Sequence, residues 1–532
     1  MKKILKTGTP YIWLTACMLT ISLLMIGGLI LLIMVKGLGV FWPHEMVRFV
    51  LKDGSVVMGE IAKTESIPHI KDTYRTKLKV GNRDAFGLDF QWVDHEAVAR
   101  REYPPDALAF ERREWGNLYG FLKGLKVGEN TKPISEQELE SLIKESYALY
   151  KKIRHVEKRA IGNINYAMEK NRLALKRLQA LPPNADSQAR MHDVQADVSR
   201  LESLYRTQEN LLAELYQEAR KQEVVVTISD GRERTLPVFQ IIRMYAPNKM
   251  GVFSKVGFYI SKFWEFVSAE PREANTEGGI FPAIFGTVMM VFIMSIAVVP
   301  LGVLTAVYLK EYAGDNIVSR LVRISVSNLA GVPSIVFGVF GLGFFIYFIG
   351  GGIDNLFYSE SLPTPTFGTG GILWASLTLS LLTVPVVVVA TEEGLSSASK
   401  SVREGSYALG ATKFETLWRV VLPQATPGIL TGTILSMARA VGEVAPLMIT
   451  GVVKLAPSLP LDSHYPFVHL ERKFMHLGFH IYDVGFQSPN VEAAVPMVYT
   501  TTLVLVFTVL TLNISAILLR NRLRKWYNSS AM

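Results

Sequence analysis

Cysteine and charged residues are scarce in this chain, and no sequence motif for a nucleotide-binding loop is present. Cys17 is the only cysteine among 532 residues, so no intramolecular disulfide can form, and we expect Cys17 to be an inert core thiol. Charged residues make up 19% of the chain and hydrophobic residues 49%, which favours a membrane protein. No basic stripe interleaved with aromatic residues is present, which argues against a nucleic-acid partner. The string nearest to a G-x-x-x-x-G-K-[ST] loop, Gly405–Thr412, has Ala411 in the lysine position, so any ATP hydrolysis requires another chain.

Long apolar runs are the most abundant feature. A helix needs about 20 apolar residues to cross about 30 Å of hydrocarbon. Six stretches satisfy this requirement, near residues 12–35, 280–309, 324–349, 371–390, 427–451 and 496–519. The sequence therefore predicts an α-helical integral membrane protein with six transmembrane helices.

The charges that flank these spans indicate their orientation, because Lys and Arg concentrate in cytoplasmic segments. Residues 350–370, between spans three and four, contain no Lys or Arg. The basic flanking residues are Lys2, Lys3, Lys6, Lys310, Arg320, Arg323, Lys400, Arg403, Lys413, Arg419, Arg520, Arg522, Arg524 and Lys525. We therefore expect both termini, including the tail 523–532, and the loop after span four to be cytoplasmic. Residues 36–279 and 452–495 should face outward.

A large outward insert, residues 41–275, separates the first span, within residues 1–40, from the other five. Alternating apolar residues predict β-strands within 46–93 and 223–243. Asp53-Gly54 and Asp230-Gly231 are hairpin-turn signals.

Helical patterns occupy the rest of the insert. Near-heptad spacing predicts an antiparallel helical hairpin with coiled-coil character over 134–222, broken at Leu181-Pro182-Pro183-Asn184. Apolar residues recur at helical spacing in 251–267, which suits either an interfacial helix on the membrane or a core helix of the β module. The insert either contacts a binding protein or another envelope protein, or is a spacer without chemistry.

The most informative segment is the polar loop 404–423, EGSYALGATKFETLWRVVLP, between spans four and five. Its residues predict a helix, a left-handed turn at Gly410 and a second short helix before the next span. The pattern resembles the EAA loop of ABC-importer permeases, E-A-A-x3-G-x9-I-x-L-P. Glu404, Gly410, Leu422 and Pro423 match, Val420 replaces the isoleucine, and Gly405 and Ser406 replace the alanines. In that family the loop forms a coupling helix that binds a separate ATPase subunit, and the resemblance implies the same here.

Span five carries two charges, Arg439 and Glu443, close to its middle. A charge at that depth costs roughly 2.5–3.5 kcal/mol, so it should face a cavity or a partner. At i,i+4 spacing the two side chains share a helix face and can pair. Arginine also binds oxyanions through two parallel hydrogen bonds. The pair is a candidate substrate path, and the alternative is a self-satisfied ion pair that holds span five against a neighbour.

Further segments narrow the resemblance to the PstA-type permeases of phosphate importers. They are residues 330–338 (AGVPSIVFG), 391–393 (TEE) and 438–443 (ARAVGE) followed by Ala445-Pro446, within a similar region of about 276–522. The resemblance implies a type I ABC importer permease of the bacterial inner membrane, in which Arg439 and Glu443 match charged residues of the translocation path. It also implies a PstC-type second permease, PstB-type ATPase subunits, a PstS-type periplasmic phosphate-binding protein, phosphate and membrane lipid as partners, with no cofactor.

Four histidines in the 452–495 segment could suggest a metal site: His464, His469, His476 and His480. No cysteine accompanies them, so we expect solvated loop histidines and no metal. The predicted function is a non-catalytic permease subunit of an ATP-driven phosphate importer. The alternatives are a permease for another oxyanion such as sulfate or molybdate, a membrane scaffold or sensor that works through the insert, and a secondary transporter.

Overall fold

The computed structural model describes residues 9–67, 73–127, 130–180, 182, 184–314, 316–488 and 491–529. The chain forms two compact units, which are described separately. The first consists of Met1–Val40 with Glu265–Met532, and the second of Phe41–Trp264. Lys2, Lys3 and Lys6, which contribute to the predicted orientation, lie outside the described residues.

The helices are, in chain order, α1 (Thr9–Gly39), α2 (Arg83–Phe86), α3 (Glu136–His155), α4 (Gly162–Ala180), α5 (Ala185–Ala219), α6 (Val252–Ser268), α7 (Phe281–Val307), α8 (Ile317–Leu329), α9 (Ser334–Phe340), α10 (Gly351–Phe357), α11 (Ile372–Ser397), α12 (Lys400–Ala408), α13 (Lys413–Thr416), α14 (Leu422–Gly442), α15 (Ala445–Thr450), α16 (Leu477–Tyr482) and α17 (Val491–Ser529). The strands are β1 (Met46–Leu51), β2 (Val56–Ser66), β3 (Tyr74–Lys79), β4 (Phe90–Asp94), β5 (Val98–Glu102), β6 (Leu108–Arg112), β7 (Leu118–Val127), β8 (Asn130–Lys132), β9 (Gln222–Thr227), β10 (Glu233–Pro237), β11 (Ile241–Tyr245), β12 (Pro271–Arg272) and β13 (Glu277–Gly278).

Six helical stretches of the described residues are long and apolar enough to span a membrane, which agrees with the prediction of an α-helical membrane protein. They are Tyr11–Gly39, Phe281–Tyr312, Ser334–Phe357, Ile372–Ser397, Lys413–Gly442 and Val491–Arg522. The last helix continues through Ser529, so most of the predicted tail is helical. Cys17 is exposed on α1, so the expectation of a core thiol is wrong within this chain.

The predicted bounds of the third span, 324–349, were wrong at both ends. Helix α8 is amphipathic and ends at Leu329, and the span starts only at Ser334 and continues to Phe357. Pro333 causes the separation, because proline cannot donate an amide hydrogen bond and disfavours helical backbone in the residue before it. The residues around Pro333 therefore precede the span and do not interrupt it.

Glycine allows spans four and five to approach each other closely. A Cβ built on Gly428 of α14 would lie 2.7 Å from the Cα of Gly394 in α11. A methyl group at that position would push the helices apart, as expected for small residues at membrane helix interfaces. Helices α7, α11 and α14 also share a buried core, to which they contribute Met290, Leu379 and Ala440.

The second unit contains two antiparallel sheets. One has the order β4-β3-β2-β1-β5 and the other the order β10-β9-β7-β6-β11, with β8 paired to β7. The two turn signals join β1 to β2 and β9 to β10, with Gly54 at φ 85° and Gly231 at φ 84°. Strands β5 to β8 were not predicted. Strand β6 is buried at every residue and β7 contains two glycines, so neither shows a clean two-residue alternation.

A helical hairpin interrupts the second sheet between β8 and β9. Helices α3 and α4 are joined by a π-helical turn, Val156–Ile161, and the Tyr216 hydroxyl of α5 donates to Glu157 in that turn at 2.6 Å. Leu139 and Ile143 of α3 enter the core of the second sheet. Leu181 and Pro183 of the predicted break lie outside the described residues. Asn184 caps α5 by accepting from the Ser187 amide at 2.6 Å.

Helix α6 has one packed face and one open face. Phe258 stacks on Tyr245 of β11 with ring centroids 4.6 Å apart. Phe253, Ile260 and Trp264 remain exposed, and Phe253 is 95% exposed. These three residues of the apolar stripe are therefore not buried against the β module, and an interfacial position for α6 stays a prediction.

Candidate functional site

The loop 404–423 folds as two short helices around a tight turn. Helix α12 ends in a Schellman motif, in which the Gly410 amide donates to the Tyr407 carbonyl and the Ala411 amide to the Ser406 carbonyl. Gly410 has φ 83°, the left-handed conformation that the sequence predicts there. The turn thus connects α12, which ends at Ala408, to α13, which begins at Lys413.

The second helix of the loop begins with a capping box. The Thr412 hydroxyl accepts from the Glu415 amide at 3.3 Å, and the Glu415 carboxylate accepts from the Thr412 amide at 2.9 Å. The helix then continues into span five through a π-helical turn, Leu417–Val421. Pro423 has no amide to bond the carbonyl four residues earlier, and the wider turn before it accommodates that loss. The loop is therefore continuous with the span that it precedes.

The loop exposes an apolar surface that the chain itself does not cover. Leu409 is 90% exposed at the turn, and Tyr407, Phe414 and Trp418 are also exposed, with the last two rings stacked at 6.4 Å. Glu404 and Gly405 lie exposed on α12. A rigid turn with an apolar rim and an adjacent carboxylate has the character of a protein-binding surface.

Arg439 and Glu443 form an ion pair, but a loose one. The Arg439 Nε lies 3.7 Å from Glu443 Oε1, beyond hydrogen-bond range, and the side chains are 39% and 20% exposed. Among the described residues, Glu443 is the only polar partner of this guanidinium. Its hydrogen-bonding edge therefore retains capacity for another anion.

The backbone changes direction at this pair, which the sequence did not predict. Helix α14 ends at Gly442, Glu443 is extended with ψ 134°, and α15 starts at Ala445 with Pro446 in its first turn. Gly338 of α9 faces this break, since a Cβ there would lie 2.8 Å from the Pro446 Cα. The predicted span 427–451 is thus a helix, a break and a half-helix, with the charges at the break. Broken helices of this kind are tolerated in membrane proteins where they line a cavity or contact a neighbour.

Comparison with known proteins identifies the family. The model of the binding-protein-dependent transport system inner membrane component matches residues 298–528, which include the loop and the charged pair. The phosphate transport system permease protein PstA 1 of Mycobacterium tuberculosis is 36% identical over 243 residues, covering 46% of this chain and 71% of the relative. The chain is a PstA-type member of this permease family.

Other relatives agree with this assignment. PstA of Mycobacterium leprae is 40% identical over 196 residues, covering 36% of this chain and 59% of that protein. The "Probable ABC transporter permease protein YqgI" of Bacillus subtilis is 31% identical over 260 residues, covering 48% of this chain and 81% of that protein. The permease is accordingly a multi-pass component of the inner membrane, and the matched family range begins after the insert 41–275.

The expectation of solvated histidines was wrong for three of the four in this permease. His469, His476 and His480 are buried, and only His464 is partly exposed. Burial lowers the pKa of His476 to about 3 and that of His480 to about 4. His469 lies between two carboxylates, with ring nitrogens 3.0 Å from Asp462 and 3.1 Å from Glu471.

These histidines help to hold the 452–495 segment together. The His476 Nδ1 accepts from the Gly478 amide at 3.1 Å and so caps α16. Burial raises the pKa of Asp462, but hydrogen bonds from the His464 amide, Arg472 and His469 outweigh burial and lower that pKa to about 2. Among the described residues, no three His, Cys, Asp or Glu side chains are placed to hold a metal ion.

Sequence reasoning missed the polar contacts around the loop. Glu311, at the end of the second span, accepts from Arg403 at 2.6 Å. Arg323 lies 3.6 Å from Glu392, and Arg520 donates to the Thr431 hydroxyl at 3.2 Å. The available signal for Glu311 is an acidic residue directly after Lys310 at the end of the span, in a flank that also carries Asp315, Arg320 and Arg323.

Proposed function

We propose that this chain is the permease subunit of an ATP-driven phosphate importer. The observation that carries the proposal is the family match over 298–528, which contains a preformed docking loop and an intramembrane arginine with open hydrogen-bonding capacity. ATP would be hydrolysed by a separate PstB-type subunit bound at the loop. A PstS-type binding protein would deliver phosphate from the periplasm.

The exposed side of span five fits an interface with a second permease. Ser436, Met437, Ala440 and Val441 of α14 are buried within this chain, whereas Arg439 is partly exposed. A PstC-type subunit that covers Arg439 would enclose it in a low-dielectric path, where an arginine fork binds an oxyanion most strongly. Glu443 would neutralise the guanidinium between substrates and yield as phosphate arrives.

The docking role is tested by Glu404→Lys. The exposed carboxylate makes no hydrogen bond or ion pair with any residue that the structure describes, so its reversal should leave the permease folded. We expect the ATPase subunit to be lost on purification while the second permease is retained. Lys400→Glu, an exposed charge reversal one turn away, is the matched control and should retain the ATPase. An ATPase that stays bound to the Glu404→Lys complex and drives uptake would contradict the docking role.

The substrate is tested by competition. Labelled phosphate uptake by the intact complex should fall with excess unlabelled phosphate and not with equimolar sulfate or molybdate. Equal competition by sulfate would favour the alternative of another oxyanion, because an arginine fork fits any tetrahedral anion. Uptake that persists without any ATPase subunit would favour a secondary transporter.

We further propose that the insert 41–275 is periplasmic and that both termini and the loop are cytoplasmic. Cys17 is the only cysteine, so a Cys17→Ser background allows single-cysteine labelling with an impermeant maleimide. Asp193→Cys in α5 should label in intact spheroplasts, and Ser401→Cys in α12 only after lysis. The reverse pattern would refute the orientation.

The scaffold alternative is tested by removing the helical hairpin. Residues 134–222 can be replaced by a Gly/Ser linker of about eight residues, which is long enough to connect β8 and β9 on the two sides of β7. Phosphate uptake that persists would remove support for the scaffold reading, and complete loss with normal assembly would favour it.

A further inference from the structure

The loop 404–423 is covalently connected to spans four and five, and its two helices also contact a third span. Along the sequence, α12 follows span four and α13 precedes span five. In the structure, both loop helices also contact the end of span two. Arg403 of α12 donates to the Glu311 carboxylate at 2.6 Å, and Lys413 of α13 donates to the Glu311 carbonyl oxygen. We call Glu311, Arg403 and Lys413 the Glu311 junction.

Within the Glu311 junction, the Glu311–Arg403 pair is shielded from solvent, whereas Lys413 is exposed. The Arg403 and Glu311 side chains are 20% and 12% exposed. The second Arg403 terminal nitrogen donates to the Leu395 carbonyl at 2.6 Å, near the end of span four. Lys413 also lies 4.8 Å from the centre of the Tyr312 ring. Removing one partner from a shielded, hydrogen-bonded ion pair leaves the other charge uncompensated, so this contact resists separation more than a surface pair does.

An apolar layer supports the junction. Residues from the ends of spans two and four and from the loop are buried in one cluster, and they include Leu309, Leu395, Leu417 and Val421. The Ser406 and Thr416 hydroxyls lie 2.8 Å apart and join α12 to α13. The two loop helices are therefore held together and to span two, and they can move as one body.

We propose that Glu311 is a positioning residue that transmits movement of the coupling loop to the second span. The inference rests on the proposed function, in which an ATPase subunit binds the loop. Movement of the loop would then reach span five through the continuous helix and span two through the Glu311–Arg403 pair. Both spans would tilt together, and loss of the pair would let the loop move without span two.

The test separates coupling from assembly in the reconstituted complex with both permeases, the ATPase and the binding protein. We expect Glu311→Gln to retain the bound ATPase and its hydrolysis but to lower phosphate moved per ATP by about fivefold or more, the usual range of coupling between sites. Lys310→Gln, an exposed residue in the same turn, is the matched control and should keep the wild-type ratio.

A charge exchange keeps the test interpretable if Glu311→Gln destabilises the complex. Glu311→Arg and Arg403→Glu should each uncouple transport, and the double variant should recover part of the ratio. A wild-type ratio in Glu311→Gln, or no recovery in the double variant, overturns the inference. Glu404→Lys, measured in parallel, tests loop docking alone. If the ATPase remains bound and active in that variant, the proposed function has failed, whatever the result for the Glu311 variants.

Discussion

Gly410 offers the sharpest prediction about the loop. It lies at φ 83°, and a Cβ built there would meet no atom within 4 Å. Replacement by alanine therefore adds no clash, and its cost is the backbone strain alone. For an L-residue in the left-handed region that strain is about 1–2 kcal/mol. We expect Gly410→Ala to lower the equilibrium constant for forming the docking-competent turn by a factor of about 5 to 30.

Gly405→Ala provides the comparison in the same loop. Gly405 also has open space around its Cα, but it lies inside α12 with ordinary helical φ. Alanine there should stabilise the helix by about 0.5–1 kcal/mol. In a titration, the permease carrying Gly410→Ala should bind the ATPase more weakly than wild type, by up to about 30-fold. Gly405→Ala should not weaken folding of the loop. Gly410→Asn should fall between wild type and Gly410→Ala, since asparagine tolerates this conformation better. Equal ATPase affinity for Gly410→Ala and wild type would refute the reasoning.

Three further predictions concern the remaining features. Leu409→Glu should weaken ATPase binding without changing the thermal stability of the free permease, because the side chain is exposed; unchanged affinity in a pull-down would contradict this. Arg439→Lys should keep the charge but lose the two-pronged contact, so the Km for phosphate should rise; an unchanged Km would argue against direct anion contact. The pKa of His480 is lowered by burial from 6.5 to about 4, so the unfolded chain binds its proton more readily and the free energy of unfolding should fall as pH drops from about 6.5 towards 4. Thermal unfolding of wild type and His480→Gln checks this, and the same acid sensitivity in both would contradict it.

Apolar run length and motif spacing predicted the membrane part of this fold well. The number of spans follows from hydropathy because hydrocarbon thickness sets the length of a helix. The start of span three was missed because α8 is amphipathic and adds apolar residues before Pro333. The break at Glu443 was not predicted, because the sequence alone does not distinguish a proline in the first turn of a new helix, such as Pro446, from a proline inside a continuous helix.

The local geometry of the loop and of the charged pair was predictable from the sequence, and their long-range contacts were not. Gly410 and the loop helices follow from turn chemistry, and the Arg439–Glu443 approach follows from i,i+4 spacing. The junction at Glu311 joins residues 92 positions apart, and no local rule relates them. The burial of His476 and His480 likewise depends on long-range packing, such as the bond from the Leu477 amide to the Thr287 hydroxyl.

Phosphate uptake by the assembled complex carrying Arg439→Ala tests the central claim most directly. The account predicts that both permeases and the ATPase still co-purify while uptake is abolished, because the variant removes the oxyanion fork and leaves the docking loop intact. Wild-type uptake by an assembled Arg439→Ala complex would contradict the account.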